Sequence, residues 1–368
     1  MGISAPTRLE VDLGAIVANW RLLAGRAAAT RAGARAAAVV KADGYGLGAI
    51  AVATALAAAG CDDFFVATLD EALALRAALP QPRIGVLNGL GFAPADAFVA
   101  ARLHPVLNDL GQIDAWTAQA RARGQSLPAL LHVDTGMNRL GLSAAEVASL
   151  AATPDRLAGI ALAAIMTHLA EAERPGSEQT AAQLSRFAAA RALLPPAPTS
   201  IANSAGIFAA GTASDLARPG AALYGISPCP DAPNPMRQVV RLSAQVIGLH
   251  TLTAGERVGY EGSWVAERPS RIATVAVGYA DGLPRAASNR AGARFDGAVV
   301  PLVGRVSMDL STYDVTDQPG LVPGDWLELI GPDNPPDALA RAAGTIGYEI
   351  LTGLGPRLPR VYLPAAPA

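Results

Sequence analysis

The first 225 or so residues alternate between short apolar runs and longer alanine-rich stretches with helical spacing. The apolar runs predict strands at residues 37–41, 63–67, 83–88, 105–107, 128–134, 159–168, 199–203 and 221–225. Between them, Thr68-x-x-Glu71 and Ser143-x-x-Glu146 are typical capping boxes, and Gly124 is a typical helix stop. Eight strands alternating with helices predict an α/β fold of the (β/α)8 TIM-barrel type, and a doubly wound sheet is the alternative.

The pattern of apolar and polar residues changes after the proline-rich connector at residues 227–235. Apolar and polar residues alternate with period two over 302–310, and residues 271–278 and 326–330 are also strand-like. This half of the chain is therefore predicted to be mostly β.

The length of 368 residues exceeds what most single hydrophobic cores support, so two domains are expected. We predict a barrel over residues 1–236 and a C-terminal β domain over 237–368, with the first ten or so residues packing against the β domain.

Composition excludes several classes of protein. A net charge of −2 gives no electrostatic basis for binding nucleic acid or an anionic membrane. The two cysteines, Cys61 and Cys229, make neither a disulfide framework nor a metal motif. Neither a secretion signal nor an apolar segment of about 18 residues is visible, so a cytoplasmic protein without a metal is expected.

Lys41 lies where the first predicted strand breaks into the glycine-rich segment 42–46. Burial at the end of a strand would lower the pKa of the ammonium group, and a partly neutral amine is a good nucleophile towards carbonyls. On this segment alone, a lysine that simply reaches solvent is the alternative.

Further polar side chains follow the later predicted strands. They are His132, Asp134, Arg139, His168, Asn203, Ser204 and Arg218. Each has a structural interpretation by itself, such as a core histidine, a helix-capping asparagine or a turn arginine. Because the carboxyl ends of barrel strands meet at one mouth, their joint placement predicts a single site that includes Lys41.

The segment 41–46 resembles the lysine signature of the alanine racemases, which are pyridoxal-phosphate enzymes. Other blocks similar to that family follow in its order along the whole chain. They are His132–Gly141, Thr167–Ala170, Asn203–Gly206, Arg218–Gly220, Val258–Tyr260, Val277–Gly282, Val306–Asp309 and Gly347–Glu349. As a set these blocks are highly specific, although no single one is.

The resemblance implies pyridoxal 5′-phosphate as cofactor and the interconversion of L- and D-alanine. It implies that the reaction supplies D-alanine for peptidoglycan, and a catabolic role is the alternative. Lys41 would form the internal Schiff base and act as one base, and Tyr260 would be the base on the opposite face. The resemblance also implies a homodimer whose sites take Tyr260 from the other subunit.

The same resemblance assigns the remaining contacts. Arg218 would face the pyridine nitrogen, with His168 supporting it from behind. The residues that would bind the phosphate are Tyr45, Ser204, Gly220, Ala221 and Tyr348. Asn203 matches a cofactor-site residue of the family beside the loop near the phosphate. The residues that would bind the substrate are Arg139, Tyr279, Met308 and Asp309.

His132 departs from the family pattern, because many members carry there a carbamylated lysine that holds the matching arginine. An imidazole supplies no negative charge to Arg139. We therefore expect an anion such as chloride, or a neighbouring carboxylate such as Asp134, to replace it. Ser307, where some relatives have cysteine, is a smaller departure.

Three other functions are compatible with parts of the sequence. One is a racemase of broader specificity that accepts serine or other small amino acids. Another is a pyridoxal-phosphate-dependent decarboxylase, which would need a cysteine acid near the C-terminal site, whereas Cys229 lies in the connector and position 307 is serine. The third is a non-catalytic binding protein, which would leave the β domain unexplained.

Overall fold

The computed structural model describes residues 6–364. The strands are β1 (Thr7–Asp12), β2 (Arg35–Ala36), β3 (Ala38–Val39), β4 (Asp63–Val66), β5 (Arg83–Val86), β6 (His104–Leu107), β7 (Leu127–His132), β8 (Ile160–Met166), β9 (Thr199–Ser200), β10 (Leu216–Ala217), β11 (Val240–Leu252), β12 (Arg257–Val258), β13 (Trp264–Val265), β14 (Ser270–Val275), β15 (Gly292–Phe295), β16 (Ala298–Pro301), β17 (Ser311–Asp314), β18 (Trp326–Ile330) and β19 (Arg360–Leu363).

The helices are α1 (Leu13–Thr30), α2 (Lys41–Tyr45), α3 (Ala49–Ala58), α4 (Leu69–Ala78), α5 (Ala95–Ala100), α6 (Leu110–Arg123), α7 (Ala144–Ala152), α8 (Glu178–Leu193), α9 (Pro336–Ala343) and α10 (Gly347–Thr352). Both predicted capping boxes are present, at the starts of α4 and α7, and Gly124 ends α6 in the left-handed conformation. In the described part of the chain, no helix is long and apolar enough to cross a membrane.

The N-terminal half is a parallel barrel. Strands β3 to β9 pair in chain order, each parallel to the next. Strand β10 closes the ring, since it pairs in parallel with β2, and the Val39 N–H donates to the Pro219 carbonyl at 3.0 Å. On its other side, the Arg218 N–H donates to the Ala202 carbonyl at 2.8 Å. This closure confirms the barrel and excludes the doubly wound sheet.

The eighth strand was predicted in the wrong place. It is Leu216–Ala217, whereas the predicted run 221–225 contains the 3-10 helix Ala221–Tyr224. All four residues of that helix are buried, and α1 holds it through the Asn19 amide, which donates to the Leu223 carbonyl at 3.1 Å. The apolar run therefore reflected burial on every side rather than an extended backbone.

The C-terminal half is a sheet in the order β16-β15-β18-β11-β1-β19, and β14 and β17 extend from β11. Strand β1 from the start of the chain lies inside this sheet, antiparallel to β11 and parallel to β19. The first strand of the chain therefore ties the two halves together.

The strand predicted over residues 302–310 is instead a connection between β16 and β17. Gly304 takes a φ of +78°, and a turn at 307–310 is closed by the Ser307 N–H donating to the Leu310 carbonyl at 2.9 Å. The period-two pattern misled because Val306 is buried, whereas Met308 and Leu310 are exposed.

The amino-terminal end of the barrel is held by Asp63, whose carboxylate accepts from Arg35 at 2.6 Å and from Arg83 at 2.6 and 2.8 Å. Asp63 is buried, and both arginines remain partly exposed. At this end of a barrel, such a network contributes stability rather than chemistry.

We predict that Asp63→Asn lowers the free energy of unfolding by about 1–3 kcal/mol, because charge-assisted hydrogen bonds to both arginines are weakened. Urea unfolding measures the change, and Asp62→Asn at the exposed neighbouring position is the control. An unchanged midpoint for Asp63→Asn would show that the network contributes nothing.

Candidate functional site

Lys41 lies at the barrel mouth, two residues after β3 ends, and it begins a turn of left-handed residues rather than completing the strand. It is the only lysine in the chain. Burial lowers its pKa, the positive charge of Arg139 lowers it further, and Glu71 opposes both effects. The amine is thus easier to deprotonate than an ordinary lysine, as expected for an ammonium at a strand end.

Arg218 is buried at the end of β10, and its guanidinium donates to the Ser200 hydroxyl and, at 2.6 Å, to the Thr167 carbonyl. Burial lowers its pKa to about 10, so the group still carries its charge at neutral pH. His168, which was predicted to support Arg218, is not one of these hydrogen-bond partners. The ends of other strands supply the hydroxyl and the carbonyl that Arg218 binds. Burial first and Arg218 second lower the pKa of His168 to about 3.

His132, the last residue of β7, is buried and neutral. Its Nδ1 lies 2.8 Å from the side-chain oxygen of Asn108, whose own nitrogen donates to the Leu87 and Val106 carbonyls. Asn108 therefore presents an acceptor, and Nδ1 carries the imidazole proton. Burial, followed by the charge of Arg218, lowers the pKa of His132 to about 4.

Asp134 holds the loop that carries Arg139. Its Oδ1 accepts from the N–H groups of Gly136, Met137 and Asn138 at 2.9, 3.0 and 3.1 Å. With three amides on Oδ1, a contact between Asp134 and Arg139 would have to be made through Oδ2. The Arg139 side chain is exposed.

Backbone amides gather at the ends of β9 and β10, where Gly220 lies next to Val39 of β3. The Ser204 hydroxyl accepts from the N–H groups of Gly220 and Ala222 at 3.0 and 3.2 Å. The N–H groups of Ser204 and Ala221 have no acceptor within residues 6–364. Asn203 caps the local turn, since its side-chain oxygen accepts from the Gly206 N–H at 2.8 Å.

Gly220 allows a tyrosine to approach this group of amides. A Cβ at position 220 would lie 2.3 Å from the Tyr45 hydroxyl oxygen, so a larger residue would displace it. The Tyr45 ring stacks on Tyr224 with centroids 4.6 Å apart and meets the edge of Tyr348 at 6.4 Å. Burial raises the pKa of both Tyr45 and Tyr348, so their hydroxyls stay protonated as donors.

Besides Tyr348, four predicted residues lie on the β domain. Tyr260, Met308 and Tyr279 are exposed by 68%, 54% and 43%. The backbone joins two of them, because the Ala280 N–H donates to the Met308 carbonyl at 2.9 Å and the Tyr279 N–H donates to the Ser307 carbonyl at 3.0 Å. Asp309 is paired with Arg357 at 2.6 Å.

The sequence had given no role at the site to four residues that hold it. Asn108 orients His132, Ser200 and Thr167 hold Arg218, and Glu71 binds the amide next to Lys41. The sequence did place Glu71 in a capping box and Asn108 directly after a predicted strand. Only the fold shows which side chain each of them meets.

The fold is a closed parallel barrel followed by a β domain, and a lysine of lowered pKa lies at the barrel mouth. These features define a class of barrel enzymes that act through an amine. Within the described residues, no group of histidine, cysteine and carboxylate side chains is arranged to hold a metal ion.

Comparison with known proteins identifies the family within this class. The alanine racemase N-terminal domain matches residues 11–228, and the alanine racemase C-terminal domain matches residues 239–362. The chain belongs to the alanine racemase family.

Similar proteins match over nearly their whole length. The alanine racemase of Acidiphilium cryptum is 55% identical, covering 96% of this chain and 98% of the relative. A catabolic alanine racemase of Agrobacterium fabrum is 48% identical, with 98% and 92% covered. The crystal structure of the Bartonella henselae alanine racemase, with covalently bound pyridoxal phosphate, is 40% identical with a TM-score of 0.93, covering 97% of this chain and 99% of that one.

Proposed function

We propose that this protein is a pyridoxal-phosphate-dependent alanine racemase that interconverts L- and D-alanine. The observation that carries the proposal is the single lysine, with its lowered pKa, at the mouth of a barrel in which two backbone amides at the ends of β9 and β10 lack an acceptor within residues 6–364. The Bartonella henselae relative, which holds covalently bound pyridoxal phosphate, supports the choice of cofactor.

The residues at the barrel mouth fit that cofactor. A phosphate needs several donors, and the free amides of Ser204 and Ala221 together with the hydroxyls of Tyr45 and Tyr348 supply them. The missing side chain at Gly220 keeps space beside the Tyr45 hydroxyl. Lys41 would hold the aldehyde end covalently.

When bound, the cofactor supplies a conjugated ring that accepts the electron pair left on the α-carbon of alanine. In its neutral form, Lys41 Nζ would take or return the α-proton on one face. The lowered pKa of Lys41 raises the neutral fraction near physiological pH.

Arg218 would donate a hydrogen bond to the pyridine nitrogen. With a pKa of about 10, the guanidinium keeps its proton at neutral pH and does not transfer it to the ring. The ring would remain a weaker electron acceptor, which favours prompt reprotonation of the α-carbon and limits side reactions.

Racemisation needs a second proton donor and acceptor on the opposite face, and we assign this role to Tyr260 of a partner subunit. The exposure of Tyr260, together with that of Met308 and Tyr279, supports an arrangement in which a second copy receives them. The functional unit is then a homodimer with two shared sites.

Alanine is the substrate best supported, because Arg139 offers an exposed guanidinium for the carboxylate, while Met308 and Tyr279 would narrow the pocket. An extra hydroxyl or methylene changes discrimination by only about 1–3 kcal/mol, so serine is a secondary candidate. A decarboxylase is not favoured, since Ser307 uses its hydroxyl to donate to the Leu310 carbonyl at 2.8 Å.

The physiological role we propose is the supply of D-alanine for peptidoglycan in the cytoplasm. A structural relative from Pseudomonas aeruginosa, 37% identical with a TM-score of 0.90, is named a biosynthetic alanine racemase, and it covers 97% of this chain and 99% of its own.

Purified protein loaded with pyridoxal phosphate should convert L-alanine to a racemic mixture, measured by chiral amino-acid analysis. Borohydride reduction should leave the cofactor on the peptide that contains Lys41, the only lysine. Lys41→Ala should abolish both results. Absence of D-alanine from loaded wild-type protein would refute the proposed activity.

Mixing Lys41→Ala with Tyr260→Phe protein tests whether the sites are shared. Each variant alone should be nearly inactive, but a mixed dimer would contain one site with both wild-type residues. Random exchange should therefore restore about a quarter of wild-type activity. A tagged subunit can verify that exchange has taken place. If activity is still not recovered, the result would contradict a role for Tyr260 across the interface.

Chloride is our proposed counter-charge for Arg139, because His132 is neutral and Asp134 already binds three amides. At constant ionic strength, with gluconate as the replacement anion, the KM for L-alanine should fall as chloride rises. A KM that does not change across the titration would exclude chloride.

A further inference from the structure

We propose that Glu71 is a positioning residue for Lys41, because its carboxylate holds in place the left-handed turn that begins directly after the lysine. The inference deepens the proposed function, in that it takes Lys41 as the reactive amine. Glu71 itself touches neither substrate nor cofactor in this account.

The turn is unusual in its backbone conformation. Ala42, Asp43, Gly44 and Tyr45 have φ values of +53°, +52°, +62° and +56°. Left-handed residues other than glycine each cost roughly 1–2 kcal/mol, so three of them within four consecutive positions need strong support from their surroundings.

Glu71 supplies that support at the lysine end of the turn. Its Oε1 accepts from the Ala42 N–H at 2.7 Å, and its Oε2 accepts from the N–H groups of Ala67 and Thr68 at 2.7 and 3.3 Å. A single carboxylate therefore joins the start of α4 to the first left-handed residue, the immediate neighbour of Lys41.

Other contacts hold the opposite end of the turn. The Asp43 carboxylate accepts from the Ala49 N–H at 2.9 Å, and the Gly46 carbonyl accepts from Arg360 at 2.9 and 3.2 Å. Tyr45 stacks on Tyr224. Among the described side chains, Glu71 is the one that bonds to the backbone directly beside Lys41.

The carboxylate also acts through its charge. Glu71 raises the pKa of Lys41, opposing burial and Arg139, which lower it. Replacing Glu71 by glutamine removes this charge. It also leaves one carbonyl oxygen in place of the two carboxylate oxygens, one of which accepts from Ala42 and the other from Ala67 and Thr68. The lysine should then lose a proton more readily, and the turn should loosen.

The chain contains a matched control in its second capping box. Glu146 accepts from the Ser143 N–H at 2.9 Å, and Ser143 in turn accepts from the Glu146 N–H at 3.3 Å. No hydrogen bond joins Glu146 to the turn at 42–45 within residues 6–364. Glu146→Gln thus reproduces the loss of a capping carboxylate without altering the surroundings of Lys41.

The test uses the cofactor-free, full-length chain and the pH dependence of acetylation by acetic anhydride. Since Lys41 is the only lysine, peptide mass spectrometry separates its rate from that of the N-terminal amine. Glu71→Gln should move the titration of Lys41 to lower pH, and Glu146→Gln should leave it at the wild-type position. A Glu71→Gln curve that overlies the wild type, or an equal shift in Glu146→Gln, would overturn the proposal.

If Glu71→Gln does not fold, Glu71→Asp provides the second measurement. It keeps the charge but withdraws the carboxylate by one methylene, so hydrogen exchange at the Ala42 amide should accelerate, whereas Glu146→Asp should not change it. Unchanged exchange in Glu71→Asp would refute the proposal. Neither measurement requires turnover, so a failure of the proposed racemase activity would be seen separately.

Discussion

The site depends on the position of one lysine amine, where burial and a nearby positive charge both act on it. Burial and Arg139 lower the pKa of Lys41, and Glu71 is the negative charge that limits the effect. The neighbouring imidazoles add no charge at neutral pH, since the pKa of His132 falls to about 4 and that of His168 to about 3. The charges that act on Lys41 at neutral pH are therefore those of Arg139 and Glu71.

The barrel makes this environment possible, because parallel strands bring residues that are distant in the sequence to one mouth. Asn108 follows β6 and fixes the proton on His132 at the end of β7. Thr167 and Ser200, near the ends of β8 and β9, hold Arg218. His132 and Arg218 are thus each oriented by residues at the ends of other barrel strands, so the site is assembled from several short segments of the chain.

Much of this could be predicted from the sequence, and the errors have physical causes. Apolar runs and capping boxes predicted the barrel, and Lys41 was identified at a strand end. The run 221–225 was read as a strand because complete burial looks the same in a short helix. Partners such as Asn108 for His132 could not be predicted, because such a choice depends on strand register and rotamers. The assignments of Tyr260, Met308 and Asp309 rest on the family resemblance, and they stay predictions.

A crystal structure of the protein loaded with pyridoxal phosphate tests the central claim most directly. It should show continuous density between Lys41 Nζ and the cofactor, with the phosphate within hydrogen-bonding distance of the N–H groups of Ser204 and Ala221. A cofactor bound elsewhere, or a phosphate held away from the ends of β9 and β10, would contradict the account.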